Sequence, residues 1–158
     1  THDSKLTADE QYTHITLWSI LGSPLLIGCD MAELDDFTLN LLCNSEVIDV
    51  NQDELGWQAS RIYGDDSYAT YLKPLADGTV AVAMFNLSSE PKKIGFIPRS
   101  LGVIGSQVIR DLWRQKDICT CGYHERWETE VAPHGCVYVK LTPVQKNFVP
   151  EGFDKNIK

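Results

Sequence analysis

The sequence predicts a mainly β chain: an antiparallel β-sandwich of Greek-key type, preceded by a helix–strand–helix segment. Two observations carry this. Residues 18–56 read as helix, short buried strand, helix and polar exit, which is one repeat of a parallel α/β architecture and the end of a larger barrel. From about Ala59 onward the pattern changes to short alternating segments at intervals of about 10 residues, broken by Gly, Pro and Asp, the pattern of an antiparallel sandwich.

The first helix starts at a capping box. In Thr7-Ala8-Asp9-Glu10 the threonine hydroxyl accepts from the amide of Glu10, whose carboxylate reaches back. The helix is expected to run to about Leu21. Ile15, Leu17, Trp18, Ile20 and Leu21 cover more than one face, so burial on several sides is expected. Gly22-Ser23-Pro24 ends the helix and opens a strand over residues 24–28. That strand has no polar face, so it expects neighbours on both edges and cover on both faces. A lone strand with free edges is an aggregation hazard; residues 24–28 either pair with another chain, fold onto the sandwich or become irregular. Asp35 or Asp36 caps a second helix carrying Phe37, Leu39, Leu41 and Leu42. Asn44 is placed at its C-terminal end in a left-handed conformation, and residues 45–50 add a helical turn.

In the sandwich, strands are expected over residues 61–63, 67–72, 79–85, 92–97, 107–113, 123–131 and 136–141. Asp77-Gly78 signals a type I′ hairpin. Residues 79–85 are apolar on both faces, as suits a central strand covered on each side. Residues 124–131 and 136–142 read as two arms of a hairpin around Ala132-Pro133-His134-Gly135. Residues 143–158 are polar and aperiodic, a tail.

Composition narrows the function. A net charge of −8 over 158 residues disfavours nucleic acid, since phosphate binding needs a basic face. Lys92, Lys93 and Arg99 are the local basic excess, and a solvated surface explains them. No apolar run approaches the roughly 20 residues of a membrane helix, and the first residues carry no signal-peptide pattern.

The five cysteines, Cys29, Cys43, Cys119, Cys121 and Cys136, have no regular spacing. Cys119-x-Cys121-x-x-His124 with His134-x-Cys136 has the composition of a zinc site. The expected hairpin, however, puts the two groups about 20 Å apart, far beyond coordination bonds of about 2.0–2.3 Å.

Among carboxylates, Asp35-Asp36, Asp65-Asp66 and Asp49 with Asp53 are the candidate pairs. Adjacent strand residues face opposite ways, and helix caps and turns account for the others. Cys29 and Asp30 follow residues 24–28, and barrel sites gather at the C-terminal ends of strands; a cap or loop role is the competing reading. His14 fits a packed or surface histidine, and His134 a turn whose imidazole bonds backbone. Trp57, Trp113 and Trp127 are candidates for a sugar-stacking platform, although large aromatics equally suit a core. Asn86-Leu87-Ser88 matches the glycosylation triplet.

The runs LWSILGSPLLIGCDM, EVIDVNQDELGWQ, YLKPLADGTVAVAMFN, IRDLWRQKDI and VAPHGCVYVKLTP, in this order, resemble the C-terminal third of the melibiase-type α-galactosidases, glycoside hydrolase family twenty-seven, which includes α-N-acetylgalactosaminidases. The similarity covers about Leu6 to Pro143. It implies a (β/α)8 barrel followed by a sandwich: residues 1–57 as the last, incomplete barrel unit, 58–143 as the C-terminal sandwich and 144–158 as the tail. It also implies retaining hydrolysis of terminal α-galactosides by two aspartates on earlier barrel strands. No catalytic, substrate-binding or metal residue carries over to this chain, and no cofactor is implied. The expectation is therefore a C-terminal part of a glycosidase, inactive alone. The rivals are a non-catalytic carbohydrate-binding module and an interaction domain docking through its helical arm. Carbohydrate is the partner in the intact protein, with no nucleic acid and no membrane, and a second copy is an option for covering the barrel remnant. A secreted or periplasmic location is implied by the resemblance alone.

Overall fold

The computed structural model describes residues 4–144; the expected tail, apart from Val144, lies outside them. The helical arm comprises α1 (Ala8–Ile20), α2 (Asp36–Leu42) and α3 (Ser45–Asn51), with a short 3-10 turn at Met31–Glu33. Eight strands follow: β1 (Ser60–Gly64), β2 (Tyr68–Pro74), β3 (Val80–Asn86), β4 (Lys92–Phe96), β5 (Gln107–Asp111), β6 (Lys116–Cys121), β7 (Trp127–Val131) and β8 (Cys136–Pro143). They form a six-stranded sheet in the order β1-β2-β3-β8-β5-β6 and a two-stranded sheet of β4 and β7, with every pairing antiparallel. The sandwich preceded by helices is thus as the sequence predicts.

Three layers result: helices, large sheet, small sheet. Alternation along β3 assigns the faces. Val82 and Met84 point between the sheets, where they join Ile94, Phe96, Ile109, Val131, Val139 and Leu141. Ala81, Ala83 and Phe85 point the other way, against Ile20, Val47, Val50, Leu112 and Tyr138. Strands β3 and β8 therefore serve two cores at once. This is why residues 79–85 are apolar on both faces.

The helix ends follow local chemistry. Thr7 and Glu10 make the full capping box, with Thr7 N donating to Glu10 Oε2 at 2.8 Å and Glu10 N to Thr7 Oγ1 at 3.3 Å. Gly22 adopts φ +63°, and Ser23 N donates back to Trp18 O at 3.1 Å, so α1 closes on a left-handed glycine. Asp35 caps α2 through Thr38 N at 2.7 Å.

Four expectations need correction, and one strand was not among those expected. Residues 24–28 form no strand. Leu26 N turns back to Pro24 O at 3.1 Å, and with no strand beside the segment there is no ladder to join. Asn44 is not a left-handed C-terminal residue but the N-cap of α3 (φ −68°, ψ 107°), accepting from Val47 N at 3.2 Å. Residues 124–131 and 136–142 are not one hairpin: β7 pairs with β4 in the small sheet, while β8 lies between β3 and β5 in the large one. Ala132-Pro133-His134-Gly135 is consequently a crossover between sheets. Strand β6 was not foreseen; its edge position leaves most of its residues exposed, so it shows no apolar alternation. The β2–β3 hairpin is present, but Gly78 alone is left-handed (φ +80°). Type I′ needs positive φ at both central residues, and Asp77 lacks it.

Gly95 sits where β4 approaches β7 most closely, since a Cβ there would lie 2.2 Å from Trp127 O and 2.6 Å from Glu128 Cβ. We expect G95A to displace β4 and cost about 3 kcal/mol, within the range for a severe packing clash. Urea unfolding followed by tryptophan fluorescence checks this; a change below about 1 kcal/mol would contradict the geometry.

Candidate functional site: the two faces of the helical layer

Helix α1 presents hydroxyls to the large sheet. Thr13, Thr16 and Ser19 recur every three residues and so share one face. Thr13 Oγ1 donates to His134 O at 2.8 Å. Thr16 Oγ1 lies 3.3 Å from Cys136 Sγ and accepts from Trp113 Nε1 at 2.8 Å. Ser19 Oγ donates to Val47 O at 2.7 Å and meets the Tyr138 hydroxyl at 3.0 Å. Because Ser19 Oγ spends its proton on Val47, Tyr138 is the donor in the second bond. Burial pushes the Tyr138 phenol well above its ordinary value and the Cys136 thiol up to about 11, so both stay protonated in the seam.

The short helix α3 is fastened by charge. Arg110 on β5 embraces Glu46, with Nε at 2.9 Å from Oε2 and Nη2 at 2.7 Å from Oε1, while Nη1 reaches Asp117 at 2.9 Å. Bidentate pairs of this kind fix orientation as well as distance. Asn44 Nδ2 donates to Leu112 O at 3.0 Å and Trp113 O at 3.2 Å. At the other end the fully buried Lys73 donates its ammonium to Val50 O in the last turn of α3, where a cation suits the helix dipole. Burial nevertheless lowers its pKa, and Asp53 works against that shift.

Away from the sheet, the helical layer carries an apolar groove that is open among the described residues. Leu6, Ile15 and Trp18 from the α1 side, residues 25–29, and Leu41 and Ile48 line a groove of about 410 Å³. Leu26 is 82% exposed, Met31 65% and Ile27 47%. Single exposed apolar residues are ordinary, but a contiguous patch marks a contact surface.

Of the carboxylates singled out in the sequence, Asp30, Asp35, Asp53 and Asp65 hold backbone. Asp30 accepts from Ala32 N at 3.0 Å and starts the 3-10 turn; Cys29 beside it lines the groove. Asp35 caps α2, with Asp36 in its first turn. Asp65 accepts from Ser67 N and Oγ, both at 2.6 Å, and from Tyr68 N at 3.2 Å, bonds that hold its carboxyl below the usual range. Asp66 is exposed in the same turn. Asp53 ties Leu55 N and Ala76 N, while Asp49 lines a cleft beside it. Asp49 and Asp53 together line an open cleft of about 440 Å³ with Gln52, Glu54, Ala76 and Asp77, and Asp53 is held there by its bonds to Leu55 N and Ala76 N.

His14 is exposed, stacked 4.6 Å from Trp18 at the groove. His134 acts through its backbone: at φ +54° its carbonyl receives Thr13 and its N–H reaches Ser88 O at 3.3 Å. The three tryptophans do not form a platform. Trp57 lies exposed in the linker, Trp113 is wedged under α1 at 4.8 Å from Tyr12, and Trp127 packs between the sheets at 5.2 Å from Phe96. Lys92 leans over the Tyr68 ring at 5.3 Å and bonds Ser67, whereas Lys93 and Arg99 are exposed.

Sheet register separates the cysteines. Gln107 pairs with both Cys121 on β6 and Pro143 on β8, so Cys136 lies seven residues, about 23 Å, along the sheet from Cys121. All five are free thiols, and among the described residues no three His, Cys, Asp or Glu groups gather to hold a metal.

The glycosylation triplet is a structural motif. Asn86 is 1% exposed, and its Nδ2 donates to Glu90 O, Val131 O and Ala132 O at 2.8–3.1 Å, while its Oδ1 accepts from Ser88 N and Oγ. It staples the crossover between the sheets. Sequence reasoning missed the Thr13–Thr16–Ser19 seam, Lys73 and the Arg110 clamp. The three-residue spacing of hydroxyls and a lysine inside an apolar strand were the available signals.

The fold defines a class: a helical layer fastened to one face of an antiparallel β-sandwich. The comparisons give the family. A family model described as Alpha galactosidase C-terminal beta sandwich domain matches residues 65–141, and one described as Alpha galactosidase A matches residues 2–53. An alpha-galactosidase of Oryza sativa subsp. japonica is 36% identical over 136 residues, covering 85% of this chain and 32% of that protein. Alpha-galactosidase 3 of Arabidopsis thaliana is 36% identical over 143 residues, covering 87% and 32%. Among solved structures, a GH27 β-L-arabinopyranosidase from Geobacillus stearothermophilus superposes with TM-score 0.85 at 32% identity over 92% of this chain and 32% of its own. Alpha-galactosidase I from Mortierella vinacea gives 0.81 at 27% identity over 87% and 36%. The chain belongs to the glycoside hydrolase family twenty-seven α-galactosidases and corresponds to their C-terminal part. It spans about a third of the length of the curated relatives it matches.

We expect N86A to lose about 2–4 kcal/mol, since a buried amide with three acceptors leaves those carbonyls unpaired. Intact-mass analysis after expression through a eukaryotic secretory route should show folded chain without glycan on Asn86. A glycan on chain with native near-UV circular dichroism would contradict the assignment. Acid titration tests the carboxylates. Asp35, Asp65 and Asp77 all have pKa values lowered from 3.8. Asp35 and Asp65 owe this to side-chain bonds with Thr38 and Ser67; at Asp77 burial works against the shift and Thr79 outweighs it. A depressed folded pKa adds stability above the unfolded value that is lost as pH falls through the folded one. Stability should therefore be flat from pH 7 to 5 and fall below about pH 4. Replacing the three by asparagine should flatten that acid limb.

Proposed function

We propose that this chain is the non-catalytic C-terminal portion of an α-galactosidase-type glycoside hydrolase. In this reading residues 1–57 supply the last α/β unit of the catalytic barrel, and residues 58–143 form the sandwich that holds it in place. The observation that carries the proposal is the asymmetry of the helical layer. Its sheet side is fixed by directional hydrogen bonds and the Arg110–Glu46 pair, while its other side offers an apolar groove that is open among the described residues.

The chemistry agrees. Retaining hydrolysis of a glycoside needs two carboxyl groups about 5–5.5 Å apart across the sugar. Asp30, Asp35, Asp53 and Asp65 are committed to caps and turns, and in this reading the catalytic pair belongs to the rest of the enzyme. The choice of sugar belongs there too, because neighbours named for α-galactosides and for β-L-arabinopyranosides share this same third. The scattered tryptophans argue against an independent carbohydrate-binding module.

Two assays test this. The chain alone should give no turnover of p-nitrophenyl α-D-galactopyranoside. Exchanged for the matching third of the rice enzyme, it should sustain activity within about tenfold of the parent. Turnover by the isolated chain, or a folded but inactive chimera, would overturn the proposal.

A further inference from the structure

Asp77-Gly78 is the one place in the sequence where an Asp or Asn directly precedes a Gly. Such a pair is chemically labile, because glycine has no side chain to crowd its nitrogen. The Gly78 nitrogen can attack Asp77 Cγ; the protonated carboxyl then loses its hydroxyl as water and a five-membered succinimide closes. Water reopens the ring at either carbonyl. Opening at the main-chain carbonyl leaves the chain running through the side-chain carbon, an isoaspartate with one extra methylene in the backbone and no net change in atoms.

The β2–β3 turn keeps the two reacting groups occupied. Gly78 N donates to Leu75 O at 3.0 Å, and the Leu75 side chain is anchored in the helix-side core. Asp77 Oδ1 accepts from Thr79 N at 2.9 Å and from Thr79 Oγ1 at 2.5 Å, a local side-chain bond that turns the carboxylate toward the following strand. Asp53 Oδ2 pins Ala76 N at 2.9 Å from the α3 side. Space gives no protection, since a Cβ built on Gly78 would meet nothing within 4 Å. Solvent gives none either, because the Asp77 side chain is 56% exposed. Burial works to raise the Asp77 pKa, but the bonds from Thr79 outweigh it, so the protonated form that can lose hydroxyl stays scarce.

We infer that Asp77-Gly78 is a latent isoaspartate-forming site and that the Thr79 hydroxyl is the group that keeps it closed. Conversion there would not stay local. The β2–β3 ladder starts at Pro74 and Val80, on either side of this turn, and Leu75 N donates to Thr79 O at 3.0 Å across it. A longer connection pulls that closure apart at the end of a strand that serves both cores. The reaction needs only water and no partner, so either outcome leaves the proposed function standing.

The test is prolonged warm storage of the whole chain in mildly acidic buffer, with isoaspartate in the peptide containing Asp77 quantified by enzymatic methyl transfer and chromatography. Thr79→Val, and equally Thr79→Ala, should convert about fivefold faster than the parent or more, the loss of one ordinary hydrogen bond expressed as a rate, while keeping the native near-UV spectrum. Thr79→Ser keeps the hydroxyl and should stay within about twofold of the parent. The parent unfolded in urea should convert faster than the folded chain, and Asp77→Glu should give no product at this position. Equal rates in the parent, Thr79→Val and Thr79→Ala would overturn the inference. So would Thr79→Ser converting as fast as Thr79→Val, a folded parent converting as fast as the unfolded one, or product persisting in Asp77→Glu.

Discussion

Ser19 stands where three elements meet. Its hydroxyl gives its proton to the carbonyl of Val47 in α3 and takes one from the phenol of Tyr138 in β8, all within the fully enclosed seam under α1. A 13-residue helix is marginal alone in water, and a seven-residue helix more so. Packing against the sheet is what makes α1 and α3 persist. Apolar contact alone would allow α1 to slide or roll on the alanine-lined face of β3, because dispersion is weakly directional. Two hydrogen bonds at one buried oxygen remove that freedom, and leaving either partner unpaired costs about 1–3 kcal/mol. Everything further out, from the Gly22 turn to the groove, takes its position from this point.

The sheet pays attention to the helices in return. The two non-glycine residues at positive φ among those described, Gln115 and His134, both sit in loops that face the helical layer. Gln115 gives its carbonyl to Arg110 and its amide to Asn44 and Ser45, while His134 gives its carbonyl to Thr13. Strained backbone of this kind persists only where the surroundings over-determine it. Here the surroundings are the start of α3 for Gln115 and the middle of α1 for His134, so the loops and the helices specify one another.

Much of this was legible in the sequence and some was not, for physical reasons. The capping box at Thr7 and Glu10 and the two-sided burial of β3 are local patterns, and both are present as read. Element order and the sandwich followed from spacing and turn residues. Strand β6 was invisible because an exposed edge strand needs no apolar alternation. The crossover at residues 132–135 was misread as a hairpin because a sharp turn constrains two residues, not which sheet receives the next strand. Asn44 illustrates the same limit: Asn suits a left-handed helix end and an N-cap alike, and only the position of Val47 decides. Residues 24–28 are the instructive failure. Their composition reports what the segment needs, and a strand cannot exist without a neighbour to bond. The clamp of Arg110 on Glu46 spans 64 positions, and no local window contains it.

Strands β3 and β8 contribute one face to each of the two cores, with Val82 and Val139 on one side and Ala83 and Tyr138 on the other. The layers are consequently not separate storeys that melt in turn. Loosening the helical side uncovers β3 and β8, and the sandwich core loses the rigidity of its two central strands. Loosening the sandwich withdraws the platform on which Ser19 and Tyr138 meet. Cooperativity here is a property of shared walls: a chain with two hydrophobic interiors behaves as a single folding unit because both interiors are built on the same pair of strands.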